Sequence, residues 1–126
     1  MKPTVLIVDD DARFLTFLGL KLQRGGYHVL SASDGCEVPD LLSQRHVDVL
    51  VLDLQMPGMN GWEVIRHVQE QHSVAPRRSC PKIIVLSGRS EVEAESFVRR
   101  LGADAYLTKP LWGEQILSTV RSVLRA

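Results

Sequence analysis

The stretch VLVLDLQMPGMNGWEV, residues 49–64, decides the fold. Four apolar residues, Val49 to Leu52, run straight into a lone acid, Asp53; a Pro-Gly loop follows, and a helix opens at Gly61-Trp62. A near-continuous Val/Leu run marks a strand covered on both faces. Such a strand ends on a carboxylate for a reason that the rest of the chain must supply.

Similar runs recur at 4–8 (TVLIV), 28–32 (HVLSA), 82–87 (KIIVLS) and 104–108 (DAYLT), with the strand around Asp53 spanning 47–53. Amphipathic stretches lie between them. Phe14, Leu18 and Leu22 repeat at helical spacing, and Gly25-Gly26 stops that helix. Pro39 means that the second helix either starts there or bends. Val64, Ile65 and Val68 mark the third. Ser90 and Glu93 form a capping box for a fourth, which is expected to bury Val92, Phe97 and Leu101. Leu117, Val120 and Leu124 mark the last, and residues 70–81 read as a polar loop. Five strands alternating with five helices predict one α/β domain over residues 1–126, built on a parallel, doubly wound sheet. Ligands of such sheets sit at the carboxyl ends of the strands, where strand order reverses.

Composition narrows the function. Lysine plus arginine (15) equals aspartate plus glutamate (15), so no global field draws the domain to nucleic acid or to an anionic membrane. The pairs Arg77-Arg78 and Arg99-Arg100 read as solvated surface. Cys36 and Cys80 match no metal spacing and read as thiols of a reducing compartment. The apolar run after Lys2 is cut by three aspartates, too soon for a signal peptide or a membrane span. A cytoplasmic protein is expected.

The predicted strand ends carry a coherent set: Asp9-Asp10-Asp11 after the first, Asp53 on the third, Ser87-Gly88 on the fourth and Thr108-Lys109-Pro110 on the fifth. Adjacent strands lie about 4.8 Å apart. If the first and third are neighbours, their carboxylates come close enough to repel, and a hard cation such as Mg²⁺ is the natural partner. A carboxylate facing a metal, an ammonium and a hydroxyl, with no histidine or cysteine at the carboxyl end of any strand, suits phosphoryl transfer. The carboxylate can itself be the nucleophile, forming an aspartyl phosphate.

The motifs VLIVDDD, VLDLQMPGMNG, IIVLSG and GADAYLTKP, in this order and spacing, resemble the receiver domain of bacterial two-component response regulators over nearly the whole chain. The resemblance implies a flavodoxin-like sheet in the order 2-1-3-4-5. It makes Asp53 the phosphoacceptor for a histidine kinase or a histidine phosphotransfer protein. Asp10 becomes a direct Mg²⁺ ligand, Asp9 a ligand through water, and the Gln55 backbone carbonyl another. Lys109 would hold a phosphoryl oxygen, Ser87 would move to hydrogen-bond the phosphoryl group, and Tyr106 would swing inward behind it. The Lys109-Pro110 bond would be cis. The surface of the fourth helix, fifth strand and fifth helix would be repacked for an output partner, and could form a homodimer. The domain would be a switch that catalyses only its own phosphorylation and slow dephosphorylation.

Plainer readings compete. Asp11 can be a helix N-cap, which leaves Asp9 and Asp10 unexplained, and Asn60 is better placed than Asp53 to cap the third helix. Ser90 caps the fourth helix better than Ser87. A lone Lys109 would be surface, and a lone Tyr106 an ordinary half-buried aromatic. His28, His46, His67 and His72 share no metal spacing. Met56 and Met59 read as loop packing, and Trp62 and Trp112 as packing within the domain. Gly88 stands where the family favours alanine, which should loosen its loop, while the bulk of Gln55 and Arg89 should slow hydrolysis. Three rival functions fit the residues less well. A haloacid-dehalogenase-type phosphatase wants an acid two residues after the nucleophile, where Gln55 stands. A flavodoxin-like flavin binder wants a Ser/Thr/Gly loop where Asp9-Asp10-Asp11 stands. A non-phosphorylated interaction module would not need the acid/Ser/Lys set.

Overall fold

The computed structural model describes residues 2–54, 61–74, 80–88, 92–111 and 113–125, with backbone only at 72–74 and 92–94. Five strands are present: β1 (Thr4–Val8), β2 (His28–Ala32), β3 (Val49–Asp53), β4 (Lys82–Ser87) and β5 (Ala105–Thr108). The helices are α1 (Ala12–Arg24), α2 (Val38–Gln44), α3 (Gly61–Val74), α4 (Val92–Leu101) and α5 (Gly113–Arg125). All pairings are parallel, in the order β2-β1-β3-β4-β5. The expected α/β, doubly wound architecture is therefore present, with its reversal between β1 and β3.

The apolar runs explain the layering. Side chains alternate across a strand, so Leu6, Leu50, Leu52, Ile83 and Val85 pack on one face with Val38, Val64, Ile65, Val68 and Val98, from α2, α3 and α4. Val5, Ile7, Val49, Val51, Ile84 and Leu86 pack on the other with Leu18, Leu22, Ile116, Leu117 and Val120, from α1 and α5. Burial of each large aliphatic contributes about 1.5–3 kcal/mol relative to exposure. The edge strands β2 and β5 are only partly buried, which is where the sequence turns to His28, Ser31 and Thr108.

Local signals set the ends. Asp11 caps α1 by accepting from the Arg13 and Phe14 amides, and Gly26, at φ 97°, turns the chain out of it. Pro39 lies in the first turn of α2, so that helix starts there and does not bend. A short 3₁₀ turn (Gly35–Glu37) precedes it, with a capping box between Asp34 and Glu37. Two acids serve the opposite edge of the sheet. Asp48 Oδ2 accepts from the Thr4 amide at 2.8 Å, and Asp104 Oδ2 from the Ile83 amide at 2.8 Å. The apolar pattern places both in strands; each instead precedes its strand and holds the neighbouring one.

Two helical expectations are corrected as well. Residues 70–74 belong to α3, not to a loop: Glu70 and Gln71 are good helix formers, and no proline or glycine interrupts the sequence before Pro76. Phe97 is not core. It stays 47% exposed, and Val98 is fully buried in its place. The Phe97 ring is drawn sideways to Trp62, edge to face at 4.9 Å between centroids. Trp62 itself packs against its own domain, as expected. Asn60, Met56, Met59, Ser90, Arg89, Trp112, the Arg77-Arg78 pair and the side chains of Glu93, Val92 and His72 lie outside the described residues.

Candidate functional site

Strand order puts β3 beside β1, and their register pairs Val8 with Leu52, so the next residues, Asp9 and Asp53, end adjacent strands. The ladder runs one residue past three strands. The Asp9 amide donates to the Ala32 carbonyl at 3.1 Å, the Leu54 amide to Leu86 at 3.1 Å, and the Lys109 amide to Ser87 at 2.7 Å. Those bonds fix the site residues on rigid backbone. The Lys109-Pro110 peptide is cis, as expected.

Among the described residues Asp9, Asp53 and Ser87 are the buried polar ones, while Asp10 is exposed. Asp9, Asp10 and Asp53 each offer an oxygen within 4.8 Å of the others. Into this cluster reaches Lys109. Its Nζ is 2.6 Å from Asp9 Oδ2 and 3.5 Å from Asp53 Oδ2. Burial works against the ammonium. The hydrogen bond to Asp9 and the charges of Asp53 and Asp9 outweigh it, and the lysine pKa lies above its ordinary value.

The charges do not balance. Among the described residues three carboxylates face one ammonium, and at an effective dielectric of about 20 two like charges at such a separation repel by roughly 3 kcal/mol. Carboxylate oxygens gathered at a half-buried strand edge, with negative charge in excess, fit a hard divalent cation that takes oxygen ligands.

The expected residues thus fall into groups. Asp9, Asp10, Asp53 and Lys109 come together. Ser87 stands at the next strand end, buried, with its carbonyl tied to the Lys109 amide. Tyr106 pairs in register with Val85, and its half-buried ring packs on the core shared by α2, α3 and α4. Gln55 lies outside the described residues. Asp11 proves to be the α1 cap, and its amide donates to Asp9 Oδ1 at 3.0 Å. Helical spacing marks Phe14 only as a core position. Its ring faces the Lys109 ammonium, 4.6 Å from Nζ to centroid. The signal in the sequence was its place in the first turn after an acidic strand end.

Comparison with known proteins agrees with this fold. Residues 5–121 match the family model of the response regulator receiver domain. The alkaline phosphatase synthesis transcriptional regulatory protein PhoP of Bacillus subtilis is 33% identical over 125 residues, 99% of this chain and 50% of that protein. The response regulator MprA of Mycobacterium sp. (strain KMS) is 36% identical over 125 residues, 99% of this chain and 52% of that protein. The chain thus spans about half the length of these relatives. Among solved structures, the chemotaxis response regulator CheY4 of Vibrio cholerae superposes with a TM-score of 0.85 at 30% identity, covering 98% of this chain and 99% of that one. A CheY-like response regulator receiver domain protein from Methanospirillum hungatei JF-1 gives 0.85 at 27% identity, covering 99% of this chain and 95% of that one.

Proposed function

The chain belongs to the response regulator receiver domain family, and on that premise we propose that residues 1–126 form one receiver domain whose Asp53 accepts a phosphoryl group. The donor is the phosphohistidine of a histidine kinase or of a histidine phosphotransfer protein. The observation that carries the reading is the convergence of Asp9, Asp10, Asp53 and Lys109 at one strand edge.

An Asp53 carboxylate oxygen attacks phosphorus, the new O–P bond forms, and the P–N bond to imidazole breaks with its electron pair leaving on the donor nitrogen. Lys109 offsets the negative charge that spreads over the transferring oxygens, and the Ser87 hydroxyl donates to one of them. Asp10, Asp53 and the Gln55 carbonyl would hold Mg²⁺, with Asp9 in support. When bound, the ion neutralises the acidic cluster and the incoming phosphate charge. The domain modifies only itself, and loses the phosphoryl group slowly to water; the bulk of Gln55 and Arg89 retards that loss.

The phosphoryl group acts as a switch because the two states make different contacts with Ser87 and Tyr106. The response repacks the surface of α4, β5 and α5, where an output partner or a second copy docks. We assign no direct contact with nucleic acid or membrane to this domain and place it in the cytoplasm. Among the described residues no helix is long and apolar enough to cross a membrane.

The test is transfer of labelled phosphoryl from acetyl phosphate or a phosphorylated kinase. Label should enter the wild type only with Mg²⁺ and should not enter Asp53→Asn. Undiminished labelling of that variant would sink the assignment.

A further inference from the structure

We propose that Phe14 is a positioning residue for Lys109, its ring fixing where the ammonium stands in the cleft. The inference rests on the reading of Asp53 as phosphoacceptor. The Lys109 Nζ lies 4.6 Å from the Phe14 ring centroid, well inside the range of about 6 Å over which a ring face attracts a cation. Asp9 Oδ2 holds the same nitrogen at 2.6 Å. A lysine side chain is long and flexible, and this one is 27% exposed. Asp53 Oδ2 lies further off, at 3.5 Å, so the two carboxylates hold the nitrogen on the acidic side only; the ring adds a constraint of a different kind.

Ring and carboxylate are tied to each other. Asp9 Oδ1 accepts from the Asp11 amide at 3.0 Å, and Asp11 Oδ1 accepts from the Arg13 amide at 3.0 Å and the Phe14 amide at 3.3 Å. The acid that holds Lys109 therefore also anchors the turn that presents the ring. Phe14 is half-buried against the core between the sheet and α1/α5. Leucine would meet that packing need as well, but only an aromatic offers a π-face to the cation. That contrast separates the two roles.

The first readout needs neither metal nor phosphoryl donor. In the NMR spectrum of the wild type the Lys109 Cε protons should be ring-current shifted upfield. The shift should vanish in Phe14→Leu and in Phe14→Met, and return in Phe14→Tyr. The second readout is the rate of Asp53 phosphorylation by acetyl phosphate. Phe14→Leu and Phe14→Met should be slower by about three- to tenfold, the size of a partly desolvated cation–π contact, with Phe14→Tyr restoring the rate. In a Lys109→Met background, Phe14→Leu should cost nothing further. Unshifted Lys109 protons in the wild type, an unchanged rate in both aliphatic variants, or an equal loss in the Lys109→Met background would overturn the proposal. Failure of the wild type to be phosphorylated on Asp53 defeats the functional reading instead, and the ring-current shift then decides the placement of Lys109 alone.

Discussion

Lys109 stands 2.6 Å from Asp9 and 3.5 Å from Asp53, so the ammonium that enters the acidic cluster is held by the first strand while it leans over the third. Because its pKa is raised on folding, its contribution to stability is fully present below the unfolded value of about 10.4 and is lost as pH rises through the folded value. Replacing it by methionine should cost about 1–3 kcal/mol at neutral pH, less than a fully buried pair because the lysine is partly solvated. Urea denaturation should show that gap constant up to about pH 10 and shrinking above it. A gap that widens with alkali would contradict the pairing.

The excess of acid predicts a response to divalent cations. Mg²⁺ should raise the melting temperature of the wild type, with a gain of about 2.7 kcal/mol at a hundredfold excess over the dissociation constant. Asp10→Asn and Asp53→Asn should lose most of that gain. Without the ion, each should be at least as stable as the wild type, since one of the clustered like charges is gone. Equal cation response in all three proteins would refute a shared site.

Two glycines near the site should behave oppositely. A Cβ on Gly61 would lie 2.7 Å from Leu54 Cα and 3.0 Å from the Asp53 carbonyl oxygen, so backbone must give way. Gly61→Ala should cost about 1–3 kcal/mol, as overpacking does, and should disturb the strand end that carries Asp53. A Cβ on Gly88 meets nothing within 4 Å, and no left-handed φ marks the position. Gly88→Ala should therefore be neutral or stabilising by about 0.4–1 kcal/mol. Chemical denaturation of both variants distinguishes these expectations; the reverse order would show that the strand-end packing is misread.

Much of this was legible because each element carries a local signal with one physical meaning. Continuous Val/Ile/Leu runs could only be strands buried on both faces, and β1, β3 and β4 are so buried. The acids, Ser87 and Lys109 were legible as strand-end residues because turns leave them at the same edge. Side-chain capture between elements was not legible. Helical spacing alone cannot choose between Phe97 and Val98; the choice is made by Trp62, which belongs to another helix. Val98→Ala should accordingly cost about 2 kcal/mol, and Phe97→Ala about 1 kcal/mol, the worth of an aromatic pair. Thermal melts giving the opposite ranking would restore Phe97 to the core. Phe14 was hidden in the same way, since its partner lies 95 residues further along the chain.

The most direct test of the account is chemical location of the phosphoryl group. The protein is incubated with Mg²⁺ and acetyl phosphate, reduced with borohydride so that an acyl phosphate becomes an alcohol, and sequenced by peptide mass spectrometry. Homoserine at position 53, absent without donor, is the predicted result; reduction at any other acid, Asp9 and Asp10 included, would contradict it.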